Sequence, residues 1–153
     1  MKRLIETIFF RPSDIWLGSK VFVLLGLVRL GLWLVTFSRL RRFLVSIAHR
    51  ANFFYRCKSI EKLIWAVNVS SRYMPGNVKC LARALTTEVL LDCNGYSSSL
   101  RIGVAKEKTG KLEAHAWIES QGRVLIGGLR DLKRYKTLSL PLYETTIDNQ
   151  HHF

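Results

Sequence analysis

The spacing of the apolar residues changes at Asn94-Gly95, and this change limits the folds that are open to the chain. Before it, the segment "CLARALTTEVLLDC" consists largely of strong helix formers, so it predicts a helix that Asn94-Gly95 ends. After it, apolar residues alternate with polar or small ones from Ser98 to Ala105, which is typical of a strand with one buried face. Helical and extended elements must therefore pack together in this chain.

Two further strands are predicted downstream. The polar turn "KEKTGK" separates the first strand from "LEAHAWIE", and "SQG" separates "LEAHAWIE" from "RVLIGG". A helix followed by an antiparallel strand meander predicts an α+β fold. The residues after Asp131 carry no pattern that predicts an element.

A further helix is predicted upstream, in "SIEKLIWAVNVSSRYM". Its apolar residues recur at helical spacing from Ile60 to Val67. Ser59 is the predicted N-cap, and Pro75-Gly76 ends the helix.

The positive charge is concentrated in the first half of the chain. Residues 1–75 carry 13 basic and 3 acidic side chains, a net charge of +10, whereas residues 76–153 carry 11 and 8, a net charge of +3. A basic segment indicates an anionic partner or a solvated surface. We expect no nucleic-acid partner, because the basic residues are interleaved with Leu, Val, Ile and Phe instead of forming a polar stripe.

The most apolar segment is Val21–Phe37, which contains Arg29. It is shorter than the roughly 20 residues of a membrane span, and a central arginine costs about 2.5–3.5 kcal/mol on insertion scales. A helix docked on the protein is therefore favoured, with an interfacial helix and a true span as alternatives. The next segment, "SRLRRFLVSIAHR", is basic and amphipathic, so it suits anionic lipid or an acidic protein surface. Membrane association through residues 16–50 is thus one expectation.

The three cysteines, Cys57, Cys80 and Cys93, form no CxxC pair, and an odd number argues against a disulfide framework. Cys57 and Cys93 are expected to be core thiols. The first twelve residues lack the apolar core and cleavage site of a secretory signal, so a reducing cytoplasm is the expected location. No His or Cys pair has the spacing of metal ligands, and we expect no metal or other cofactor.

Cys80 and His115 are the candidate catalytic pair. The N-terminus of a helix favours a thiolate, and Cys80 lies in the predicted first turn with Lys79 beside it. His115 lies inside a predicted strand, where its ring can be held in place to serve as a base and an acid. Residue type and spacing alone favour a buried structural thiol and a half-buried polar histidine over a catalytic pair.

The motifs around these residues resemble one enzyme family. They are P-G-x-x-x-C-L-x-R-A-L, L-x-I-G-V, A-H-A-W-x-E and G-R-V-L-x-G-G. The stretch 73–128 that carries them resembles the lasso-peptide leader peptidases, which are transglutaminase-like cysteine proteases. The resemblance implies a papain-like core, in which a helix bearing the nucleophile Cys80 packs on an antiparallel sheet bearing the general base His115. Residues 59–153 would form this domain, and residues 1–58 a hydrophobic, basic helical region.

The third catalytic member departs from the family pattern. It is usually an aspartate on the strand after the histidine, in some members twelve residues beyond it, and here that position is Gly127. A two-residue loop at Ser120-Gln121 would set His115 opposite Ile126, and a longer loop would set it opposite Gly127 or Gly128. A glycine has no side chain that could orient an imidazole.

Other groups could take this role. We favour Asp131, just past the third predicted strand. Glu113 and Glu119 share the strand face of His115, at about 7 Å and about 13 Å along the strand. A backbone carbonyl or a water molecule is a further alternative.

Two more residues near the pair have open roles. Arg83, one turn after Cys80, could support the thiolate, pair with an acidic neighbour or be structural. Trp117 could wall the site or lie in the core. The backbone N–H of Cys80 is a natural donor to an oxyanion.

The resemblance implies a peptidase that removes the leader from a ribosomally made lasso-peptide precursor. It further implies a separate leader-recognition protein and a lasso macrocyclase as partners, since residues 1–75 do not look like a recognition domain. A non-catalytic adaptor on a degenerate fold, binding a membrane or a partner, is the main alternative. Acyl transfer to an amine is also compatible with such a fold.

Overall fold

The computed structural model describes residues 12–48, 50 and 59–138, and within them four helices precede a four-stranded antiparallel sheet. The sheet order is β3-β2-β1-β4. The α+β fold is thus confirmed. The elements are α1 (Pro12–Leu34), α2 (Phe37–Ala48), α3 (Ile60–Tyr73), α4 (Cys80–Cys93), β1 (Ser99–Lys106), β2 (Leu112–Ser120), β3 (Arg123–Ile126), a 3₁₀ helix (Leu132–Arg134) and β4 (Lys136–Thr137).

The ends of α3 and α4 follow the sequence signals. Ser59 is the N-cap of α3, although its hydroxyl donates to the carboxylate of Glu61, 2.5 Å away, and not to the helix backbone. Gly76 and Gly95 follow the two helices with φ angles of 77° and 74°, which glycine adopts readily. The loop between α3 and α4 therefore delivers Cys80 to the first position of α4.

The hydrophobic core lies between the helices and one face of the sheet. Leu85 and Leu90 of α4 are fully buried there, together with Ile118 of β2. Ala116 belongs to the same cluster, and its small side chain lets α4 approach β2 closely. The nearly continuous burial along α4 explains why its sequence reads as helix without a clear polar face.

The opposite face of the sheet carries His115, Trp117 and Glu119, because side chains alternate along a strand. Strands β3 and β4 occupy opposite edges, so residues 127–135 cross the sheet between them. Trp117 is only 3% exposed. The 3₁₀ helix and β4 lie in the part of the chain for which the sequence predicted no element.

The N-terminal apolar segment forms most of α1, and the basic, amphipathic segment after it forms α2. α1 begins at Pro12, earlier than the predicted Val21, and ends at Leu34 before α2 starts at Phe37. Its docking on the protein is confirmed, since Val21 and Leu25 are fully buried against the other helices. By length and composition α1 could also cross a membrane, a test that the core helix of a soluble protein or a signal sequence also passes. The predicted boundary at residue 58 and Cys57 lie outside the described residues.

Polar contacts hold the N-terminal helices onto the domain. Arg41 of α2 makes two hydrogen bonds to Glu88 of α4, at 2.7 and 3.2 Å, and Glu88 is buried. Lys62 of α3 pairs with Asp14 of α1 at 3.0 Å, in a more exposed place. The first two helices therefore form one packed unit with α3 and α4.

Candidate active site

Cys80 begins α4 and is partly buried against the core. Lys79 is the N-cap residue and makes no capping hydrogen bond through its side chain. The first helical hydrogen bond of α4 runs from the N–H of Ala82 to the carbonyl of Lys79, at 3.1 Å. The N–H groups of Cys80 and Leu81 therefore precede the bonded turn, where a helix presents free donors to an anion.

The loop before Cys80 is supported by Arg29, the isolated charge in the apolar part of α1. Arg29 donates from Nη1 to the carbonyl of Pro75 at 2.5 Å. A Cβ atom on Gly76 would lie 2.7 Å from Nη2 of Arg29, so the absence of a side chain there leaves room for the guanidinium. Arg29 thus supports the loop ahead of Cys80 through an exposed contact that the sequence did not predict.

His115 lies on β2 where that strand has β1 as a paired neighbour on one side only. β1 pairs with β2 along its length, with Gly103 opposite His115, but the described ladder between β2 and β3 reaches no further than Ile118 and Ile126. The ring of His115 is half-buried at this edge. It stacks on Trp117 at 6.2 Å between centroids, and Tyr135 lies 5.6 Å away at a tilt.

The imidazole is held by a backbone carbonyl. Nε2 of His115 lies 2.7 Å from the carbonyl oxygen of Gly127. A carbonyl can only accept, so Nε2 carries the proton and donates it. In the neutral ring the lone pair is then on Nδ1, which is the nitrogen free to take a proton from a thiol.

The carbonyl of Gly127 reaches the His115 ring because the backbone at Gly127 adopts a conformation that residues with side chains rarely adopt. Its φ angle is 78°, in the left-handed region. A Cβ atom there would lie 2.7 Å from the carbonyl oxygen of Ala116 and 3.0 Å from Cα of Trp117. The close approach of this bend to β2 therefore needs glycine, and an aspartate could not be placed at residue 127 without moving the backbone.

Motif residues on the same sheet face build the wall of the site. Trp117 donates from Nε1 to Glu119 at 2.7 Å, and Glu119 also accepts from Arg101 at 3.3 Å. A Cβ atom on Gly103 would lie 3.0 Å from the Trp117 ring and 2.9 Å from Cβ of Tyr135. The glycine of L-x-I-G-V and the glutamate of A-H-A-W-x-E thus hold the tryptophan beside His115.

The carboxylates predicted as alternatives are engaged elsewhere. Asp131 is exposed and pairs with Nε of Arg134 at 2.7 Å. Glu113 accepts hydrogen bonds from Arg134 at 2.5 Å and from the hydroxyl of Tyr135 at 3.1 Å. Burial and the bond to Glu113 raise the pKa of Tyr135, so its hydroxyl remains a donor. Among the described residues, the hydrogen-bond partner of the imidazole is Gly127 and not the favoured Asp131.

The hairpin explains why the register of β2 and β3 differs from the expectation. The turn is Gln121–Gly122, with φ angles of 50° and 73°, so Ser120 pairs with Arg123. An irregularity next to Ile118 then shifts the ladder by one residue. If the ladder continued in this register, His115 would lie opposite Leu129. The described pairing instead ends at Ile126, and the bend at Gly127 brings its carbonyl to the ring.

A cavity of about 560 Å³ lies beside the loop that leads to Cys80. Arg83 lines it and donates from Nη2 to Asn68 at 2.6 Å, so its partner is an amide on α3 and not an acid. Nε of Arg83 is buried and has no hydrogen-bond partner within residues 12–48 and 59–138. The other lining residues are Ser71, Arg72, Met74, Gly76, Asn77 and Val78.

The structure thus presents the two predicted catalytic side chains as separate groups. Cys80 packs against the hydrophobic core, whereas His115 stacks on Trp117 on one face of β2. No hydrogen bond joins the thiol to the ring within the described part of the chain. Two of the conditions for a thiol–imidazole pair are met, because the ring is oriented by Gly127 and the thiol lies at a helix N-terminus.

Residues 24–140 match the family model described as the transglutaminase-like superfamily. The match covers the site and most of the described elements, from within α1 to beyond β4. Neither the curated proteins nor the solved structures gave a match.

Proposed function

Because the chain belongs to the transglutaminase-like superfamily, we propose that it is a cysteine peptidase that frees the leader from a ribosomally made lasso-peptide precursor. Cys80 is the proposed nucleophile, and His115 is the proposed base and acid. The leader peptidase subfamily is supported by the motifs around both residues. The peptidase chemistry is supported by the geometry of His115.

The hydrogen bond between His115 and Gly127 is the observation that carries the proposal. It fixes the tautomer whose free nitrogen is Nδ1 and limits rotation of the ring. A catalytic imidazole needs an orienting group on its second nitrogen, and this carbonyl supplies it. The ring lies where β3 has left β2, so no described strand covers that edge of His115.

The proposed reaction has two steps. Nδ1 of His115 takes the proton of the Cys80 thiol, the sulfur attacks the scissile carbonyl, and the C–N bond breaks as the imidazolium protonates the leaving amine. Water then attacks the thioester, His115 takes a proton from it, and the released sulfur regains a proton. The N–H groups of Cys80 and Leu81, which precede the first helical hydrogen bond of α4, would donate to the oxyanion of either step.

The cavity beside the Pro75–Val78 loop is the proposed place for the substrate chain. Gly76, Asn77 and Val78 line this cavity and lie just before Cys80 in the sequence, and the cavity is open to solvent. The precursor would thus bind along the end of α3 and the start of α4.

The proposed partners are a separate leader-recognition protein and a macrocyclase that closes the lasso. The described N-terminal region consists of helices packed on the domain, so it offers no strand edge for a leader peptide. A location in the cytoplasm, where precursor peptides are made, is part of the proposal.

Leader release tests the function directly. Purified protein, precursor and leader-recognition protein should yield free leader, detected by mass spectrometry. Cys80→Ala and His115→Ala should abolish release, whereas Cys93→Ala, which removes a fully buried thiol, should retain it. Circular dichroism would establish that each variant is folded. Full cleavage by folded Cys80→Ala would overturn the mechanism.

A non-catalytic adaptor is the second candidate. Two observations favour it. Within the described residues, the His115 ring is hydrogen-bonded to Gly127 and not to the Cys80 thiol, and the glycine at residue 127 has no carboxylate side chain. An adaptor would bind the precursor with unchanged affinity after Cys80→Ala and would release no leader under any condition. Transfer of the acyl group to an added amine instead of water would indicate the third possibility, a transglutaminase reaction.

A further inference from the structure

The outward face of α1 is largely apolar from Trp16 to Leu34, with Lys20 near its N-terminal end. Its buried side is formed by Val21, Leu24, Leu25 and Val28. On the opposite side lie Trp16, Val23, Leu27, Leu30 and Leu34. Their spacings of seven, four, three and four residues place them on one face of the helix. We call this face the outer stripe, and all of these residues are exposed.

A helix that is apolar all round is ordinarily buried all round, in a protein core or in lipid. Here the described part of the protein covers only one side, and Trp33, next to the outer stripe, is 83% exposed. Tryptophan side chains near both ends of α1 are typical of contact with a membrane interface. The outer stripe therefore needs an apolar partner.

The surrounding charge selects the kind of partner. Lys20 lies over the ring of Trp16 at 5.0 Å, and α2 exposes Arg39 and Arg42 in the turn that follows α1. Residues 1–75 carry only 3 acidic side chains against 13 basic ones. Within the described residues, Asp14 is already paired with Lys62. An apolar stripe with basic surroundings matches the headgroups and acyl chains of an anionic bilayer.

We propose that the outer stripe binds the surface of an anionic membrane, with α1 lying in the plane of the interface. A transmembrane orientation would strip the docked face from the core and break the contacts along α1. These include the pair with Lys62, the hydrogen bond from Ser70 to the Gly18 carbonyl and the bond from Arg29 to Pro75. The contacts span the helix, so α1 stays on the domain while its outer stripe enters the lipid.

Vesicle flotation of the full chain tests this inference without any peptide substrate. The protein should float with vesicles of phosphatidylcholine and phosphatidylglycerol and much less with phosphatidylcholine alone. Leu27→Ser with Leu30→Ser should reduce binding by more than tenfold. The control is Tyr73→Ser with Leu112→Ser, which removes two even more exposed large side chains elsewhere and should bind as the unmodified chain does.

The charge contribution is tested by a second pair of variants. Arg39→Ser with Arg42→Ser should weaken binding to anionic vesicles by about fivefold per charge. Lys108→Ser with Lys133→Ser, which removes two exposed charges far along the chain, should change it little.

Three results would overturn the inference. The first is absence of flotation with anionic vesicles. The second is membrane-bound protein that resists extraction by alkaline carbonate, which would indicate a span. The third is loss of binding to a leader-recognition protein, with unchanged vesicle binding, in the Leu27→Ser and Leu30→Ser variant, which would assign the stripe to a protein partner. Leader release from a soluble precursor is independent of all three, so failure here leaves the catalytic proposal standing.

Discussion

His115 and Gly127 are joined by a 2.7 Å hydrogen bond from Nε2 of the ring to the backbone carbonyl. The glycine lies twelve residues after the histidine, a position at which some members of the leader peptidase family that the sequence resembles carry an aspartate. A carbonyl orients the ring as a carboxylate would, but it is neutral. Because hydrogen bonds to charged partners are about twice as strong, the imidazolium formed during catalysis should be less stabilised here.

Replacing Gly127 with aspartate should not restore a carboxylate triad. An L-residue in the left-handed region costs about 1–2 kcal/mol, and its Cβ atom would be 2.7 Å from the Ala116 carbonyl oxygen. The bend would have to shift, and the carbonyl would leave the ring. We expect Gly127→Asp to lower the free energy of unfolding, measured with urea, and to release less leader than the unmodified chain.

A substitution at Gly110 separates the conformational cost of a positive φ angle from the cost of the close contact made by the Cβ atom. The φ angle of Gly110 is 89°, but a Cβ atom there would meet no atom within 4 Å. Gly110→Ala should therefore lose only the conformational part, whereas Gly127→Ala should lose more. Equal losses of stability in the two variants would show that the close approach to β2 is unimportant.

Thiol labelling should distinguish the cysteines. Cys80 is partly exposed at a helix N-terminus, whereas Cys93 is fully buried. Iodoacetamide at neutral pH should modify Cys80 rapidly and leave Cys93 intact in the folded protein, with sites assigned by peptide mapping. If the imidazole supports the thiolate, His115→Ala should slow the reaction of Cys80 by about tenfold. An unchanged rate would contradict the proposed pair.

Arg29 should affect the site from a distance, because it holds the carbonyl of Pro75 ahead of Cys80. Arg29→Met keeps the apolar character of α1 but loses this donor. We expect a loss of stability of about 1 kcal/mol and a several-fold loss of leader release. Arg29→Lys should recover part of the activity, and Arg39→Met, at an exposed position, is the control that should retain it.

Local patterns predicted the helix at Cys80, the strand meander and the candidate pair, because caps, alternation and turn residues act over short distances. They did not predict β4, whose two residues become a strand only by pairing with Gly103 and Val104. The start of α1 was missed as well, since Pro12 lies outside the apolar run but fits the first helical turn.

The partner of His115 depended on features that the sequence does not display. The register was changed by a turn at Gln121–Gly122 and by an irregularity beside Ile118. A backbone carbonyl has no residue type of its own, so no motif could mark it as the orienting group. The residue type and position of Asp131 favoured it as the orienting group, but its carboxylate pairs with Arg134, three residues further along the chain.

The ion pair between α2 and α4 should be important for stability. The guanidinium of Arg41 lies 2.7 Å from the carboxylate of the buried Glu88, and this hydrogen bond raises the pKa of Arg41. Arg41→Met would leave a buried carboxylate without its partner, and we expect a loss of about 3 kcal/mol in urea unfolding. Lys62→Met, which breaks the more exposed pair with Asp14, should cost less than about 1 kcal/mol.

A double variant checks the cause of that loss. Arg41→Met with Glu88→Met removes both charges, so it should be more stable than Arg41→Met alone. If the double variant were no better, the loss would come from packing of the Arg41 side chain and not from the unpaired carboxylate.

Alkaline pH should destabilise the protein through Cys93. Burial raises the pKa of this thiol from 9.0 to about 11, and the thiol donates to the carbonyl of Ala48 at 3.2 Å. Below pH 9 the thiol is protonated in both the folded and the unfolded chain, so it adds no pH dependence. Between pH 9 and 11 the unfolded chain loses this proton while the folded chain keeps it, so stability falls as the pH rises.

Subtracting the unfolding free energies of Cys93→Ala from those of the unmodified chain at each pH isolates this effect from the other titrating groups. The difference should decline across this window, and a flat difference would show that Cys93 ionises equally in both states.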